Sequence, residues 1–348
     1  MKLQLPGQRH HWLAGLIFAY GAFLALLTAL NGFGADRWGF GAFNLYLPQA
    51  LWLAPILLLT VLSFRWAKRW LWILVLFAIW VGGPIMGFCW SLPSRREPAT
   101  LRVLTCNIKY GRRDPSALLQ DIDRYAPDIV FFQDAGGALN GSLGALFRGW
   151  HVRSSGQFII ASRLPFAPSE AGLAALPMEQ GYLLRTVLQS GRTRIALYSV
   201  HLLTPRSGLN AVRAARKRPG QIPEAVQDLQ DNVDQRLLQA RAVAECIRQE
   251  PGAVILAGDL NSPDGSMACR TLREARLHDA FAEGGRGYGY TYGHYLLRGR
   301  LPWLPSVSWM RIDHIMLSPG LRALRCWTGN GEASEHRPVI ADLIVEAP

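Results

Sequence analysis

Three long apolar runs, at 12–30, 47–64 and 70–90, contain no Asp, Glu, Lys or Arg. Beyond about residue 100 the pattern changes to short apolar runs, each closed by a polar residue. A run close to the ~20 apolar residues that cross a bilayer predicts a transmembrane helix. Trp12, Trp52, Trp66, Trp70 and Trp90 stand near the ends of these runs, where aromatic belts belong. Gly82-Gly83-Pro84 inside the third run would break a soluble helix but is tolerated in a membrane one. The first run is too long for the apolar core of a signal peptide, and no clear small-x-small cleavage site follows it. Residues 1–97 are therefore expected to form three membrane helices, joined by short loops and ending in a linker with Pro and Arg at 91–100.

The region 98–348 reads as one globular domain. A strand over 101–108 carries Asn107 near its end. Asp114-Pro115 supplies an N-cap and a first-turn proline for a short helix with Leu118, Leu119 and Ile122 on one face. The strand over 129–132 delivers Gln133 and Asp134, and 158–161 is a further short strand. Runs at 183–189 and 194–201 flank Ser190-Gly191 as a hairpin, and the second ends in His201. A long polar insertion is expected over 204–231. Val233, Leu237, Ala240, Ala244 and Ile247 then mark one face of a helix running to about 248. A short helix is expected at 271–275, a strand bearing Asp313 at 311–317 and a last strand at 339–345.

The run at 253–257 has no alternation, which predicts a strand buried on both faces. It ends in Gly258-Asp259-Leu260-Asn261. Residues i and i+2 of a strand share a face, so Asp259 and Asn261 can aim at one point. A carboxylate there costs free energy unless it holds a metal, a partner or a substrate proton. Taken alone, turn capping explains the same residues.

Composition sharpens the division. The chain is 50% hydrophobic and 18% charged, with the excess apolar content concentrated in the first 97 residues. The net charge of +12 is shared: residues 1–97 hold eight basic and two acidic residues, and the remainder 29 and 23. The second region is thus only mildly basic, which argues against a strongly polycationic nucleic-acid binder. Arg213, Arg216, Lys217 and Arg218 form a basic cluster that suits anionic headgroups or substrate phosphates, or equally a solvated loop. Lys2, Arg9, Arg65, Lys68 and Arg69 fall on one side of the expected membrane, and Arg37, Arg95 and Arg96 on the other. This bias places the N-terminus in the cytoplasm and the globular domain outside it. The five cysteines, Cys89, Cys106, Cys246, Cys269 and Cys326, show no metal-finger spacing and are read as small core residues.

Asn107, Asp134, His201, Asp259, Asn261, Asp313 and His336 all fall at strand ends or just after them, a pattern that gathers catalytic residue types on one rim. The ordered motifs Thr-Cys-Asn-Ile (105–108), Phe-Phe-Gln-Asp (131–134), Ser-Val-His (199–201), Gly-Asp-Leu-Asn (258–261), Arg-Ile-Asp-His (311–314) and Ser-Glu-His-Arg-Pro (334–338) resemble the endonuclease/exonuclease/phosphatase superfamily. The resemblance covers about 100–346 and implies an α/β, four-layer αββα sandwich of two mixed β-sheets flanked by helices, here preceded by the all-α three-helix region.

It also implies roles. Asn107 would hold metal-bound water or a phosphate oxygen, and Asp134 occupies the metal-ligand carboxylate position. His201 would donate to the scissile phosphate, while Asp259 and Asn261 would position the attacking water and a phosphoryl oxygen. Asp313 would orient His336, and Glu335 lies beside the metal. The family pattern has Glu where this chain has Asp134 and Asp where it has Glu335, so one carboxylate is shorter by a methylene and the other longer. Oxygen ligands favour a hard cation, Mg²⁺, with Mn²⁺ or Ca²⁺ as substitutes. His314, beside Asp313, is expected to face the other side of its strand and pack there.

A domain tied to a bilayer reaches lipid headgroups and lipid-linked phosphates first. Trp303 and Trp309 are placed either at the lipid interface or packed beneath their own loop. The layout also resembles a membrane-bound subgroup of this family linked to glycopeptide resistance. The leading expectation is a membrane-anchored, metal-dependent hydrolase of lipid phosphate, pyrophosphate or phosphodiester bonds. A tethered extracytoplasmic nuclease and a non-catalytic membrane scaffold are the alternatives.

Overall fold

Two six-stranded sheets carry the short apolar runs. The computed structural model describes residues 11–91, 98–111, 114–167, 179–190, 193–294 and 307–346. Lys2, Arg9, Arg95, Arg96, most of the linker (92–97) and Trp303 lie outside the described residues.

The first sheet has the order Leu321–Thr328, Val339–Val345, Leu101–Asn107, Ile129–Gln133, Phe158–Ser162, His151–Ser155. In the second the order is His278–Asp279, Asp313–Leu317, Ala253–Asp259, Thr193–His201, Leu183–Ser190, Glu179–Gln180. Each sheet is mixed, with one parallel pair at its centre: Leu101–Asn107 with Ile129–Gln133, and Thr193–His201 with Ala253–Asp259. Alternation sorts the side chains into layers. Val103, Phe131, Ile160, Leu197, Ile255 and Ile315 meet between the sheets. Tyr198, Val200, Leu256 and Met316 face outward onto the helices Ile222–Arg248 and Met267–Glu274. Leu104, Val130, Phe132 and Ile340 face outward onto Pro115–Tyr125 and Ser142–Leu146. The result is the expected helix–sheet–sheet–helix sandwich.

Register sets the rim. Asp313 pairs with Asp259, and His201 pairs with Asp259 from the other side. In the opposite sheet Asn107 pairs with Gln133, one residue before Asp134. Five strands, three neighbours in one sheet and two in the other, therefore place their polar residues at the same edge of the sandwich.

At the N-terminus, three helices are long and apolar enough to cross a membrane: His11–Phe33, Gln49–Trp66 and Lys68–Ile85. Leu13, Ile17, Leu24, Leu59, Leu74 and Val81 bury against one another. Phe18, Leu57, Leu58, Val61 and Ile79 stand exposed, an apolar surface far larger than a water-facing protein shows.

Several expectations are corrected. The third apolar run does not stay helical to 90. It widens into a π-helical turn at Val81–Ile85, and Cys89–Trp90 forms a short strand against Arg286–Gly287. Pro84 has no N–H to give to the helical ladder, and Gly82-Gly83 offer little resistance to unwinding. The polar insertion at 204–231, to which the sequence assigns no element, is helical. It forms the helix Arg206–Ala215 and the first turns of Ile222–Arg248. Their apolar side chains, Leu209, Val212 and Leu229, pack on Ala42 and Phe43 from far upstream. The basic cluster caps this insertion, with Arg213, Arg216, Lys217 and Arg218 exposed around the end of the first helix. Two full strands, His151–Ser155 and Leu321–Thr328, were not expected, nor were the two-residue strands Glu179–Gln180, His278–Asp279 and Arg286–Gly287.

The short loop expected between the first two apolar helices is itself structured, as a turn at Ala35–Arg37 and a helix at Gly39–Tyr46. It lies on the sandwich: Ala35, Leu45 and Tyr46 bury with Met310 and Ile312. Trp309 belongs to the same contact, its indole Nε1 donating to the Tyr46 carbonyl at 3.3 Å, so it packs against the segment between the apolar helices. All five cysteines are free thiols, four of them buried.

Candidate active site

At the rim, a cavity of about 1150 Å³ is lined by Asp134, His201, Asn261, Glu335 and His336. Asn107, Asp259 and Asp313 sit buried directly behind it. The structure thus brings together all eight residues singled out in the sequence.

Asp259 Oδ2 is the point on which they converge. Asn107 Nδ2 donates to it at 3.0 Å, His201 Nε2 lies 3.5 Å away and His336 Nε2 3.8 Å away. Each histidine is oriented from behind. Gln157 Nε2 donates to the Gly181 carbonyl at 2.7 Å, which turns Gln157 Oε1 toward His201 Nδ1 at 2.5 Å. His201 must therefore carry a proton on Nδ1, since an amide oxygen only accepts. His336 Nδ1 lies 2.9 Å from Asp313 Oδ2. Burial alone would lower the His336 pKa, but the charges of Asp313 and Asp259 raise it above the usual imidazole value.

The backbone pays for this convergence in local strain. Asp134 and Asn261 both hold left-handed conformations, φ 48° and 49°, which Asp and Asn tolerate better than most residues. Gly258 has φ 149°, and a Cβ there would meet the Val200 carbonyl oxygen at 1.9 Å. Only glycine lets the Asp259 strand approach the His201 strand this closely.

Sequence reading missed four contributors. Lys109 Nζ bonds Asp134 Oδ2 at 2.8 Å. Gln157 orients His201, and the Tyr292 ring lies 4.7 Å from the His336 ring. Tyr46 lines the cavity from the segment between the apolar helices. Lys109, two positions after Asn107, was the one with a local signal. Burial would raise the Asp134 pKa, yet His201 and the Lys109 ammonium hold it below the usual carboxylate value. Asp134 is accordingly an anion that attracts cations.

That charge bears on a metal. Asp134 and Glu335 present carboxylate oxygens to one cavity, and the Lys109 ammonium on Asp134 shows that positive charge is accommodated there. The donor set fits a hard divalent cation. Asn107 Oδ1 accepts from the Lys109 N–H at 3.1 Å, which turns its Nδ2 toward Asp259 as a donor.

His314 does face away from the cavity, as alternation requires, but its surroundings are ionic. Its Nδ1 lies 2.9 Å from Asp279 Oδ2, and Arg311 Nη1 bonds both Asp279 oxygens at 2.8 Å.

A family model described as Endonuclease/Exonuclease/phosphatase family matches residues 104–336, well over half of the chain. No curated protein sequence matches the chain. Among solved structures, an AP endonuclease from Archaeoglobus fulgidus is similar with a TM-score of 0.52 at 17% identity, covering 71% of this chain and 100% of that one. A 3′ phosphatase from Neisseria, bound to a product DNA hairpin, has a TM-score of 0.50 at 18% identity, covering 70% and 100%. At these identities the likeness shows the fold, and it agrees with the two mixed sheets and their flanking helices. With the family model spanning every motif from the Asn107 strand to His336, the chain belongs to the endonuclease/exonuclease/phosphatase family, whose members are typically hydrolases of phosphoester bonds.

Proposed function

We propose that the protein is a membrane-anchored, metal-dependent phosphoesterase that hydrolyses lipid phosphate, pyrophosphate or phosphodiester bonds at the outer face of the membrane. One observation carries the lipid assignment: the catalytic cavity is walled by Tyr46, which lies only three residues before the second apolar helix at Gln49–Trp66. With that helix in a bilayer, a cavity built against its end would open toward the headgroups. The mild +6 charge of the globular region supports the same reading, because a nuclease relies on many phosphate contacts.

In this reaction Asp259 and Asn261 position the attacking water. His336, held by Asp313, presents Nε2 to the cavity as the group that exchanges a proton with it. His201, its Nδ1–H held by Gln157, supplies an Nε2–H donor to the phosphoryl oxygens in its doubly protonated form, and Asn107 holds Asp259 in place. Asp134 and Glu335 would hold the cation, which would neutralise phosphate charge. The Mg²⁺ assignment, the cytoplasmic N-terminus and the external catalytic domain are part of this proposal.

The test is headgroup or phosphate release by the detergent-purified full chain with Mg²⁺, offered lipid phosphates and plasmid DNA in parallel, with EDTA and His336→Ala controls. Metal-dependent lipid turnover lost in the variant, with DNA intact, is the expected result. DNA nicking with inert lipids would replace the proposal with the nuclease, a reading in line with the DNA hairpin bound to the similar Neisseria 3′ phosphatase. Silence on both would favour the scaffold.

A further inference from the structure

Asn261 directly follows the Asp259 strand end in a left-handed conformation, which persists only if its surroundings hold it. Four contacts do so. Its N–H donates to Asp259 Oδ1 at 2.8 Å and its Nδ2 to the Leu202 carbonyl at 2.9 Å. Its own carbonyl accepts from the Tyr46 hydroxyl at 2.9 Å and from Arg236 Nη1 at 3.4 Å. Three of these partners belong to the sandwich. Tyr46 comes from the segment between the first two apolar helices.

That segment is seated on the Asn261 loop at more than one point. The Ala35 N–H donates to the Gly265 carbonyl at 3.2 Å, and Asp36 Oδ1 accepts from the Met267 N–H at 2.7 Å. Tyr46 grips the start of the loop and Ala35-Asp36 its end. Tyr46 also answers a problem inside the sandwich. Arg236 is almost fully buried, and its Nη1 finds its acceptors in the Tyr46 hydroxyl and the Asn261 carbonyl. Burial pushes the Tyr46 pKa up to about 12 despite Arg236, so the hydroxyl keeps its proton and donates. Without that hydroxyl, a buried guanidinium loses an acceptor and the Asn261 carbonyl keeps only the longer of its two bonds.

We propose that Tyr46 is a positioning residue of the active site, and that the segment joining the first two apolar helices is a working part of the catalytic centre. A tether is replaceable by any linker of similar length. A segment that fixes the backbone of a cavity residue is not. The inference rests on the phosphoesterase reading of the cavity, and it couples the catalytic geometry to the helices that flank the segment.

The test is a double-mutant cycle in the full chain, with bis(p-nitrophenyl) phosphate and Mg²⁺ as the probe. Tyr46→Phe keeps the ring against Met310 and Ile312 and removes only the hydroxyl. It is expected to lower kcat/KM about tenfold in the otherwise native chain, and less than about twofold in an Asn261→Ala background, because its effect runs through Asn261. Equal losses in both backgrounds, or no loss in the single variant, would overturn the proposal. The same cycle read on orthophosphate affinity by calorimetry needs no turnover. It decides the role of Tyr46 separately from whether the probe diester is a substrate, with non-additivity supporting it and additivity overturning it.

Discussion

His336 Nδ1 lies 2.9 Å from Asp313 Oδ2 with both side chains buried, so the imidazole offers the cavity only Nε2. Asp313→Asn preserves the shape but no longer stabilises a charged imidazole or selects its tautomer. A loss of about 10²–10⁴ in kcat with little change in KM is expected. Steady-state kinetics of the full chain check this, and a variant within threefold of the native rate would remove His336 from the reaction.

Asp134 and Glu335 line the same cavity, and the motif resemblance implies a shortened carboxylate at the first and a lengthened one at the second. If the two changes compensate, each reversal alone, Asp134→Glu or Glu335→Asp, should raise the Mg²⁺ concentration for half-maximal activity more than the two together. The readout is a Mg²⁺ titration of all four proteins. A double variant as impaired as the sum of the singles means the sites act independently.

What the sequence disclosed follows from what local patterning encodes. A strand buried on both faces shows as an unbroken apolar run, and its end shows as the first polar residue, so Asn107, Asp134, His201 and Asp259 were each placed by position alone. Asp313 and His314 were correctly sent to opposite faces, yet nothing local reveals that the far face holds Asp279 and Arg311. Helix Arg206–Ala215 falls inside what reads only as a polar insertion, because its apolar residues are covered by Ala42 and Phe43, a partnership no window along the chain contains. Tyr46 was invisible for the same reason. Lys109 was adjacent to a motif, but its value depends on a left-handed backbone, φ 47°, in the turn that brings Nζ onto Asp134.

Asp121, in the helix Pro115–Tyr125, is buried with Oδ2 unpartnered among the described residues. Burial first, then the nearby Glu332, raises its pKa to about 6. The folded state thus holds this proton more tightly than the unfolded chain does. The associated stability is full below the ordinary carboxylate value and is lost as pH rises through about 6. The whole change across that window amounts to roughly 2 kcal/mol, discounted for partial solvent screening. Asp121→Asn should flatten the dependence of Tm on pH between acid and neutral conditions, and a slope unchanged in the variant would assign it to another group.

Gly258 supplies the last prediction, because the site depends on how closely two strands meet. His201 pairs with Asp259, and Val200 with Gly258, in the parallel ladder. A methyl at 258 would press on the Val200 carbonyl at 1.9 Å in a backbone conformation, φ 149°, that L-residues rarely adopt. The carbonyl belongs to a central strand with helices packed on its outer face, so neither side can yield without moving Asp259 away from His201. Gly258→Ala should therefore cost both stability, about 2–4 kcal/mol from strain and overpacking, and activity. Urea unfolding alongside kcat measurement distinguishes the two. A stable variant with full activity would show that the strands part without disturbing the site, and would refute the claim that glycine is required here.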